Sequence, residues 1–253
     1  MARKSTLRLW AVAFWLAVWQ LASMGLAAAY PYGGLLLASP LEALERLGEL
    51  ACTGGFWRAV GWSSLRILGG FLLSCLAATA MAALSARYGW MEELLAPPVA
   101  AVKATPVASF IILALLWLDG GRLPLFIAFL IVFPTVYLNL LEGIRQTDRR
   151  LLEMARVFRV PVSRRLTGIY LPQALPYFRS AASLGLGLCW KAGVAAEVIG
   201  LPGGSIGERL YMAKIYFQTP DLFAWTAAIV TASLVFERLF LGLIDAAAGK
   251  AAG

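Results

Sequence analysis

Six apolar runs, each of about 19 to 28 residues, constrain the fold of this chain more than any other feature of its sequence. An α-helix rises 1.5 Å per residue, so a helix of this length can cross the hydrocarbon core of a bilayer, which is about 30 Å thick. The runs cover about residues 9–29, 59–84, 94–118, 123–141, 172–199 and 222–244. We therefore predict an all-α, polytopic helical membrane protein with about six transmembrane helices, in which residues 1–253 form a single transmembrane domain.

The composition supports the same fold class. Apolar residues make up 60% of the 253 positions and charged residues only 14%, whereas soluble domains are about 25% charged. The net charge of +8 comes largely from arginines between the apolar runs, a pattern that sets membrane topology and argues against nucleic-acid binding. The chain has no histidine, so it lacks the commonest metal ligand and the commonest general base. We expect no metal, no cofactor and no catalytic residue of its own.

The first and third runs need individual interpretation. The run at 9–29 follows three basic residues and ends in alanines, so a cleaved signal peptide has to be considered. An apolar signal-peptide core is usually about 7–15 residues long, and we interpret this longer run as the first span. The third run contains Pro97, Pro98 and Pro106. Since proline removes a backbone donor, we expect a kinked helix there.

Basic residues predict the orientation. Three precede the first run, and seven arginines lie in the loop of about residues 142–171. The two segments fall on the same side of the membrane if the chain crosses it six times, and short loops rich in lysine and arginine stay in the cytoplasm. Both termini are therefore expected in the cytoplasm, with the segments 30–57 and 200–221 facing outward.

The loop at 142–171 contains a short amphipathic helix. Asp148 can cap its first turn, and acidic Glu153 suits its early part. Leu151, Ala155 and Phe158 fall at positions i, i+4 and i+7, and so form one apolar stripe, with Leu152 beside it. From these residues alone, the stripe could equally rest on lipid headgroups or face a protein partner.

The residues of this loop keep a recognisable register. Glu153-Met154-Ala155 is followed by three residues, then Arg159, then nine residues, then Ile169-Tyr170-Leu171-Pro172. This resembles the loop of ABC importer permeases, which reads Glu-Ala-Ala, three residues, Gly, nine residues, Ile-x-Leu-Pro. Met154 replaces an alanine and Arg159 replaces the glycine. Because glycine would end a helix in the left-handed conformation, we expect Pro161 to end it here.

Further segments resemble the permeases of nitrate, sulfonate and taurine importers. They are Ser64–Arg66 with Gly69–Phe71, Lys103–Pro106, Phe133-Pro134, Leu171–Pro176, Trp190-Lys191 and Ala196-Glu197. The resemblance covers most of the chain and is weakest before Trp57. It implies the type I ABC importer permease fold and a multi-pass location in the bacterial inner membrane.

The resemblance also implies partners and a mechanism. Such a permease works as a dimer, here with a second copy of the chain, together with two ABC ATPase subunits and an extracytoplasmic solute-binding protein. The loop becomes a coupling helix that docks into the ATPase. Its implied coupling residues are Leu151, Leu152, Glu153, Ala155, Arg156, Phe158 and Arg159. The sequence has no G-x-x-x-x-G-K-[ST], so ATP would be bound by the partner, and the chain is a transport subunit without enzyme activity of its own.

Ionisable residues within the apolar runs suggest a substrate path. Such groups are costly in a membrane and usually face a bundle interior or water. The candidate pathway residues are Lys191, Glu197, Trp190 and Lys103. A lysine suits a small anionic solute such as a sulfonate, taurine or nitrate. Lys103 could instead reach the membrane interface, and Lys191 could form an ion pair that fixes helix packing.

Three alternative functions remain open. One is an importer of a thiamine-precursor pyrimidine or another small organic solute. Another is a secondary transporter, which would often show two related halves, and no convincing repeat is visible. The third is a membrane-embedded enzyme, which would need clustered carboxylates or a nucleophile with its base, and the apolar runs lack both.

Overall fold

A computed structural model describes the backbone of residues 9–252, and all side chains among them except those of residues 9, 34 and 248–252. The prediction of an all-α protein is confirmed, since these residues form α-helices and one π-helical turn with no β-strand. The helices are α1 Leu9–Ala29, α2 Gly33–Leu36, α3 Pro40–Ala51, α4 Gly54–Arg87, α5 Gly89–Ala104, α6 Val107–Ala114, α7 Leu123–Arg145, α8 Arg149–Val157, α9 Val162–Arg165, α10 Leu171–Gly200, α11 Ile206–Ile215 and α12 Thr219–Ala252. The π-helical turn, Leu166–Tyr170, joins α9 to α10.

Five helices in the described residues are long and apolar enough to cross a membrane: α1, α4, α7, the continuous helix from α9 through α10, and α12. The pair α5 and α6 adds a sixth span if it is counted as one. This agrees with the prediction of about six. The third run is not a kinked helix, however, because α5 and α6 meet at an angle of 105°. Thr105 is extended there, as a residue before proline prefers to be.

Helix α7 lies at the centre of the bundle and packs along both α4 and α10. The largest core cluster joins these helices through side chains that include Ile67, Phe71, Val132 and Leu186, all nearly or fully buried. Helices α4 and α7 approach closely at Gly70, where an added Cβ would lie 2.2 Å from the carbonyl oxygen of Leu125. Only a glycine allows the two backbones to come this near.

The segment between α1 and α4 folds over the opposite end of the bundle from α8. Ser39 and Glu42 form a capping box that starts α3, which satisfies two of the free N–H groups at its first turn. The guanidinium of Arg46 then donates two hydrogen bonds to Asp221 at the start of α12, over 2.5 and 3.3 Å. This ion pair fixes α3 against the last long helix.

Candidate coupling helix and transport face

The first turn of α8 is bonded to a long helix of the bundle. Asp148 is its N-cap, and its carboxylate accepts a hydrogen bond of 2.8 Å from the N–H of Arg150. The N–H of Asp148 itself donates to the side-chain carbonyl of Gln173 over 2.9 Å. Gln173 lies in the first turn of α10, so the start of α8 is tied to that helix. Sequence reasoning did not single out Gln173, although it follows Leu171-Pro172 directly.

The end of α8 corrects the prediction about Pro161. The N–H of Arg159 donates to the carbonyl of Arg156, and the N–H of Val160 reaches back to the carbonyl of Ala155 over 2.9 Å. This is a Schellman motif, which needs a left-handed residue just past the helix. Arg159 provides it with a φ of +51°. Arg159 thus takes the glycine conformation itself, and Pro161 caps the next helix, α9.

The expected apolar stripe of α8 is divided between two faces. Ala155 is only 1% exposed and Leu152 is half-buried, so both turn toward the protein. Leu151, Met154 and Phe158 are exposed, Phe158 by 74%. These three are spaced i, i+3 and i+7 and form the outer face of α8. Ala155 is therefore not available to a partner in this conformation, and Met154 takes its place.

The charged residues expected to take part in coupling lie outside this apolar face, and all three are exposed. They are Glu153, Arg156 and Arg159. None of the three lies within 4 Å of an oppositely charged group among the described residues. Glu153 and Arg159 are thus free to pair with charges on another protein, whereas Arg156 lines a crevice on the inner side of α8.

The loop expected at 142–171 is shorter than predicted. Helix α7 continues to Arg145, and the helix that leads into α10 begins at Val162, ten residues before Pro172. Pro172 is tolerated there because it follows the π-helical turn, in which the N–H of Leu171 bonds to the carbonyl of Leu166. A π turn changes the hydrogen-bond register and accommodates the missing proline donor.

The four candidate pathway residues occupy different environments. Lys191 is exposed on α10, on the same face as exposed Leu184 and Leu188. Lys103 is also exposed, in the last turn of α5. Trp190 is buried, with its ring stacked on Phe236 at a centroid distance of 6.0 Å. The structure therefore separates the two lysines, which can meet solvent or another subunit, from the buried aromatic residue.

Glu197 is fully buried and bonded to two other helices. Its Oε2 accepts hydrogen bonds from the hydroxyl of Ser63 over 2.8 Å and from the N–H of Gly207 over 3.1 Å. The Ser63 hydroxyl in turn accepts from the N–H of Ile206 over 3.0 Å. Together, the two side chains satisfy the first free N–H groups of α11. Gly207 has to be a glycine, since a Cβ there would lie 2.3 Å from that of Glu197.

Only part of this buried cluster was predicted from the sequence. Glu197 was noted as an ionisable group in an apolar run, but Ser63 and Gly207 were not assigned a role. The remaining oxygen of Glu197, Oε1, is buried without a hydrogen-bond partner among the described residues. The geometry indicates that Glu197 positions α11 against α4 and α10.

Comparison with known proteins places this arrangement in a family. Residues 70–248, which include α7, α8 and α10, match the model of the binding-protein-dependent transport system inner membrane component family. A probable ABC transporter permease of Brucella melitensis is 28% identical over 208 residues, covering 82% of this chain and 84% of that protein. A putative aliphatic sulfonates transport permease of Escherichia coli is 29% identical, covering 92% of this chain and 84% of that protein.

A third relative extends the range of solutes named for these proteins. The riboflavin transport system permease of Chloroflexus aurantiacus is 29% identical, covering 85% of this chain and 80% of that protein. The family match at residues 70–248 includes the loop register and the helices from α5 to α11. The chain therefore belongs to the binding-protein-dependent transport system inner membrane component family, the multi-pass permease subunits of ABC importers.

Proposed function

We propose that this chain forms the solute path of an ABC importer and transmits the movement of a separate ATPase to that path through α8. The observation that carries the proposal is the exposed apolar face formed by Leu151, Met154 and Phe158. Exposed apolar side chains rimmed by charges are typical of protein docking sites. The relatives named as a probable ABC transporter permease and as a putative aliphatic sulfonates transport permease support this use of the helix.

The attachment of α8 suits it to transmit force. Its first turn is bonded to Gln173 of α10. Its end is closed by the Schellman motif and by Arg165, whose guanidinium donates to the carbonyl of Val160 over 2.6 Å. A displacement of α8 would therefore move the ends of α7 and α10 with it. Rigid elements of this kind can convert closure of a partner into alternating access across the membrane.

The proposed topology places α8 in the cytoplasm. Both termini lie on that side, as the positive-inside rule favours, while α3 and α11 face outward, where a solute-binding protein would dock. The assembly comprises two ATPase subunits and two permease copies, as its family implies. The second copy here is a copy of this chain.

The proposed solute is a small anion such as a sulfonate, taurine or nitrate. Lys191 supports this, because it is exposed although it lies nine residues, about 14 Å, from the outer end of α10. A lysine facing lipid at such depth costs about 2.5–3.5 kcal/mol. A water-filled path between two copies would remove that cost and bring the ammonium to the solute. Relatives are named for aliphatic sulfonates and bicarbonate, both anions, and for riboflavin.

The coupling role is tested with Phe158→Asp, which puts a charge on the outer face of α8. The ATPase that copurifies with the wild-type chain should be lost or strongly reduced, and uptake into vesicles should fall with it. Val157→Asp is the matched control. Val157 is about as exposed as Phe158, but its side chain lies about 100° from that of Phe158 around the helix. Glu153→Arg should weaken coupling in the same way while the chain still inserts.

Two results would contradict the proposal. One is that no ATPase copurifies with the wild-type chain, which would favour a secondary transporter. The other is normal uptake by Phe158→Asp at normal expression, which would exclude the outer face of α8 as the docking site.

A further inference from the structure

A crevice of about 520 Å³ lies behind α8, away from its outer face. It opens between the ends of α4 and α7, the inner side of α8 and the helix that begins at Val162. Five arginines line it, and no carboxylate among the described residues does. They are Arg87, Arg145, Arg149, Arg156 and Arg165. Such a concentration of one charge around one cavity raises the local potential and attracts anions.

Only part of this charge is compensated within the chain. Arg145 is paired with Glu92, and Arg165 donates to a backbone carbonyl, which leaves its charge in place. Arg87 stacks over the ring of Tyr88 at 5.4 Å. Arg149 and Arg156 form no ion pair with any residue in the described part of the chain. The crevice therefore keeps several positive charges that no carboxylate among the described residues neutralises, and an anion could bind to them.

A buried hydroxyl adds a second, independent indication of a ligand. Thr147 lines the crevice and is 4% exposed. Its Oγ1 is buried and has no hydrogen-bond partner among the described residues. Because an unpaired buried hydroxyl costs free energy, an acceptor in the crevice would satisfy it. An oxygen of a phosphate group is such an acceptor.

The remaining wall of the crevice is apolar. Ala83, Ala86, Ile144 and Leu166 line it, and all lie within two turns of the end of a helix long enough to span the membrane. The cavity thus joins an arginine-rich part to an apolar part at the membrane border. This combination matches an amphiphile with an anionic head better than a free anion, which would leave the apolar wall without a partner.

We propose that this crevice binds an anionic phospholipid, with its phosphate among the arginines and Thr147 and its acyl chains against the apolar wall. Arginine guanidinium groups bind phosphate oxygens in pairs, and basic pockets between membrane helices take anionic head groups. The site goes beyond the proposed transport function but shares its orientation, which places α8 and the crevice on the cytoplasmic side of the membrane. A bound lipid would join α4 and α7 to α8.

The test measures lipid binding by the full-length chain itself. The detergent-purified protein is titrated with dioleoylphosphatidylglycerol and with dioleoylphosphatidylcholine, and bound lipids are counted by native mass spectrometry. The wild-type chain should bind phosphatidylglycerol at least roughly tenfold more tightly than phosphatidylcholine. The double variant Arg87→Gln/Arg149→Gln should lose about tenfold or more of that affinity, since each arginine near an anionic head group contributes about 1 kcal/mol.

Matched variants separate this site from general charge. Arg150→Gln/Arg164→Gln removes the same charge from exposed residues that do not line the crevice, and it should bind phosphatidylglycerol as the wild type does. Arg87→Lys/Arg149→Lys keeps the charge but not the paired hydrogen bonds, and should bind more tightly than the glutamine variant and more weakly than the wild type. Thermal unfolding of each variant shows whether it is folded. Inorganic phosphate at millimolar concentration should displace little lipid.

Three outcomes would overturn the proposal. An equal loss of phosphatidylglycerol affinity in both glutamine variants would show that binding depends only on the net charge of the chain. Equal affinity for the two lipids would show that the arginines do not distinguish an anionic head group from a zwitterionic one. Displacement of phosphatidylglycerol by inorganic phosphate would show that the crevice binds a free anion and that its apolar wall contributes nothing.

Discussion

The hydroxyl of Ser63 on α4 donates a hydrogen bond of 2.8 Å to the carboxylate of Glu197 on α10. Both side chains are fully buried. They are 134 residues apart in sequence, and each also accepts a backbone N–H from the first turn of α11. One buried pair therefore fixes three helices at the end of the bundle opposite α8. A carboxylate in this position is a packing element, and its role can be separated from a role in solute binding.

Replacing Glu197 tests that role. Glu197→Ala should lower the thermal stability of the detergent-solubilised chain, by roughly 1–3 kcal/mol, because the N–H of Gly207 and the hydroxyl of Ser63 lose their acceptor. Glu197→Gln should remain close to wild type, since its amide oxygen can accept both bonds. If Glu197→Gln keeps its stability but loses solute-dependent transport, the carboxylate charge acts in the solute path and the packing role is not its main one.

The close approach of α4 to α7 gives a prediction for two neighbouring glycines. Gly70→Ala should destabilise the chain by roughly 1–3 kcal/mol, because the new Cβ would lie 2.2 Å from a backbone carbonyl that cannot move away. Gly69→Ala is the control, as its Cβ would lie 3.5 Å from the flexible end of Leu125. Thermal unfolding of both variants in the same detergent measures the difference. Equal stabilities would mean that α4 and α7 are further apart than described.

Most of the long helices and the amphipathic helix α8 were predictable because their signals are local. Span length and apolar composition located α1, α4 and α7 to within about five residues, whereas α12 continues eight residues beyond its predicted end. Asp148 was recognised as a cap. The ends of the helices were harder to predict. The helix before Pro172 was missed, since proline normally indicates a boundary and the π-helical turn that accommodates it leaves no pattern in the sequence.

The division of the α8 stripe and the buried cluster were not predictable, because they depend on tertiary contacts. A helical wheel places Ala155 beside Leu151 but does not say which side of the helix meets the protein. In the same way, Ser63 and Gly207 resemble other small residues in apolar runs. Only their hydrogen bonds to Glu197 in the folded protein distinguish them. The bend of 105° at Thr105 was also not predictable, since Pro97 and Pro98 remain inside a helix.

The left-handed conformation of Arg159 leads to a prediction about the end of α8. Arg159→Gly should strengthen the Schellman motif, because a left-handed residue with a side chain costs roughly 1–2 kcal/mol. Part of that gain is lost to the greater freedom of glycine in the unfolded chain. Hydrogen exchange at the N–H of Val160 should slow severalfold. Arg159→Val should speed it, since β-branched residues tolerate positive φ poorly. The same exchange rate in all three proteins would contradict the motif.

The ion pair between Arg46 and Asp221 should contribute to stability without pH dependence in the ordinary range. The pKa of Arg46 is raised, chiefly by its hydrogen bonds to Asp221 and then by those to Glu49. A raised arginine pKa gives stability that is fully present below the arginine's ordinary pKa and is lost only at higher pH. A double-mutant cycle with Arg46→Met and Asp221→Asn should give roughly 0.5–1 kcal/mol at both about pH 6 and about pH 9, since water screens the partly exposed guanidinium. A coupling that vanished at the higher pH would contradict this.

Lys191 offers the most direct test of the solute path. Lys191→Met keeps the length of the side chain and removes its charge, so the complex should assemble normally. The half-saturating concentration of an anionic solute should rise by roughly tenfold or more, because one charge-assisted hydrogen bond is lost. Taurine, an alkyl sulfonate and nitrate can be tried in turn, with solute-stimulated ATPase activity of the reconstituted complex as the measurement. Lys103→Met is measured beside it, since Lys103 is the other exposed lysine among the candidate pathway residues and is equally free of ion pairs among the described residues. A rise confined to Lys191→Met would assign the solute contact to Lys191 alone. Unchanged solute dependence in Lys191→Met would exclude the pathway role, and a loss of dimer assembly would assign the lysine to packing between subunits.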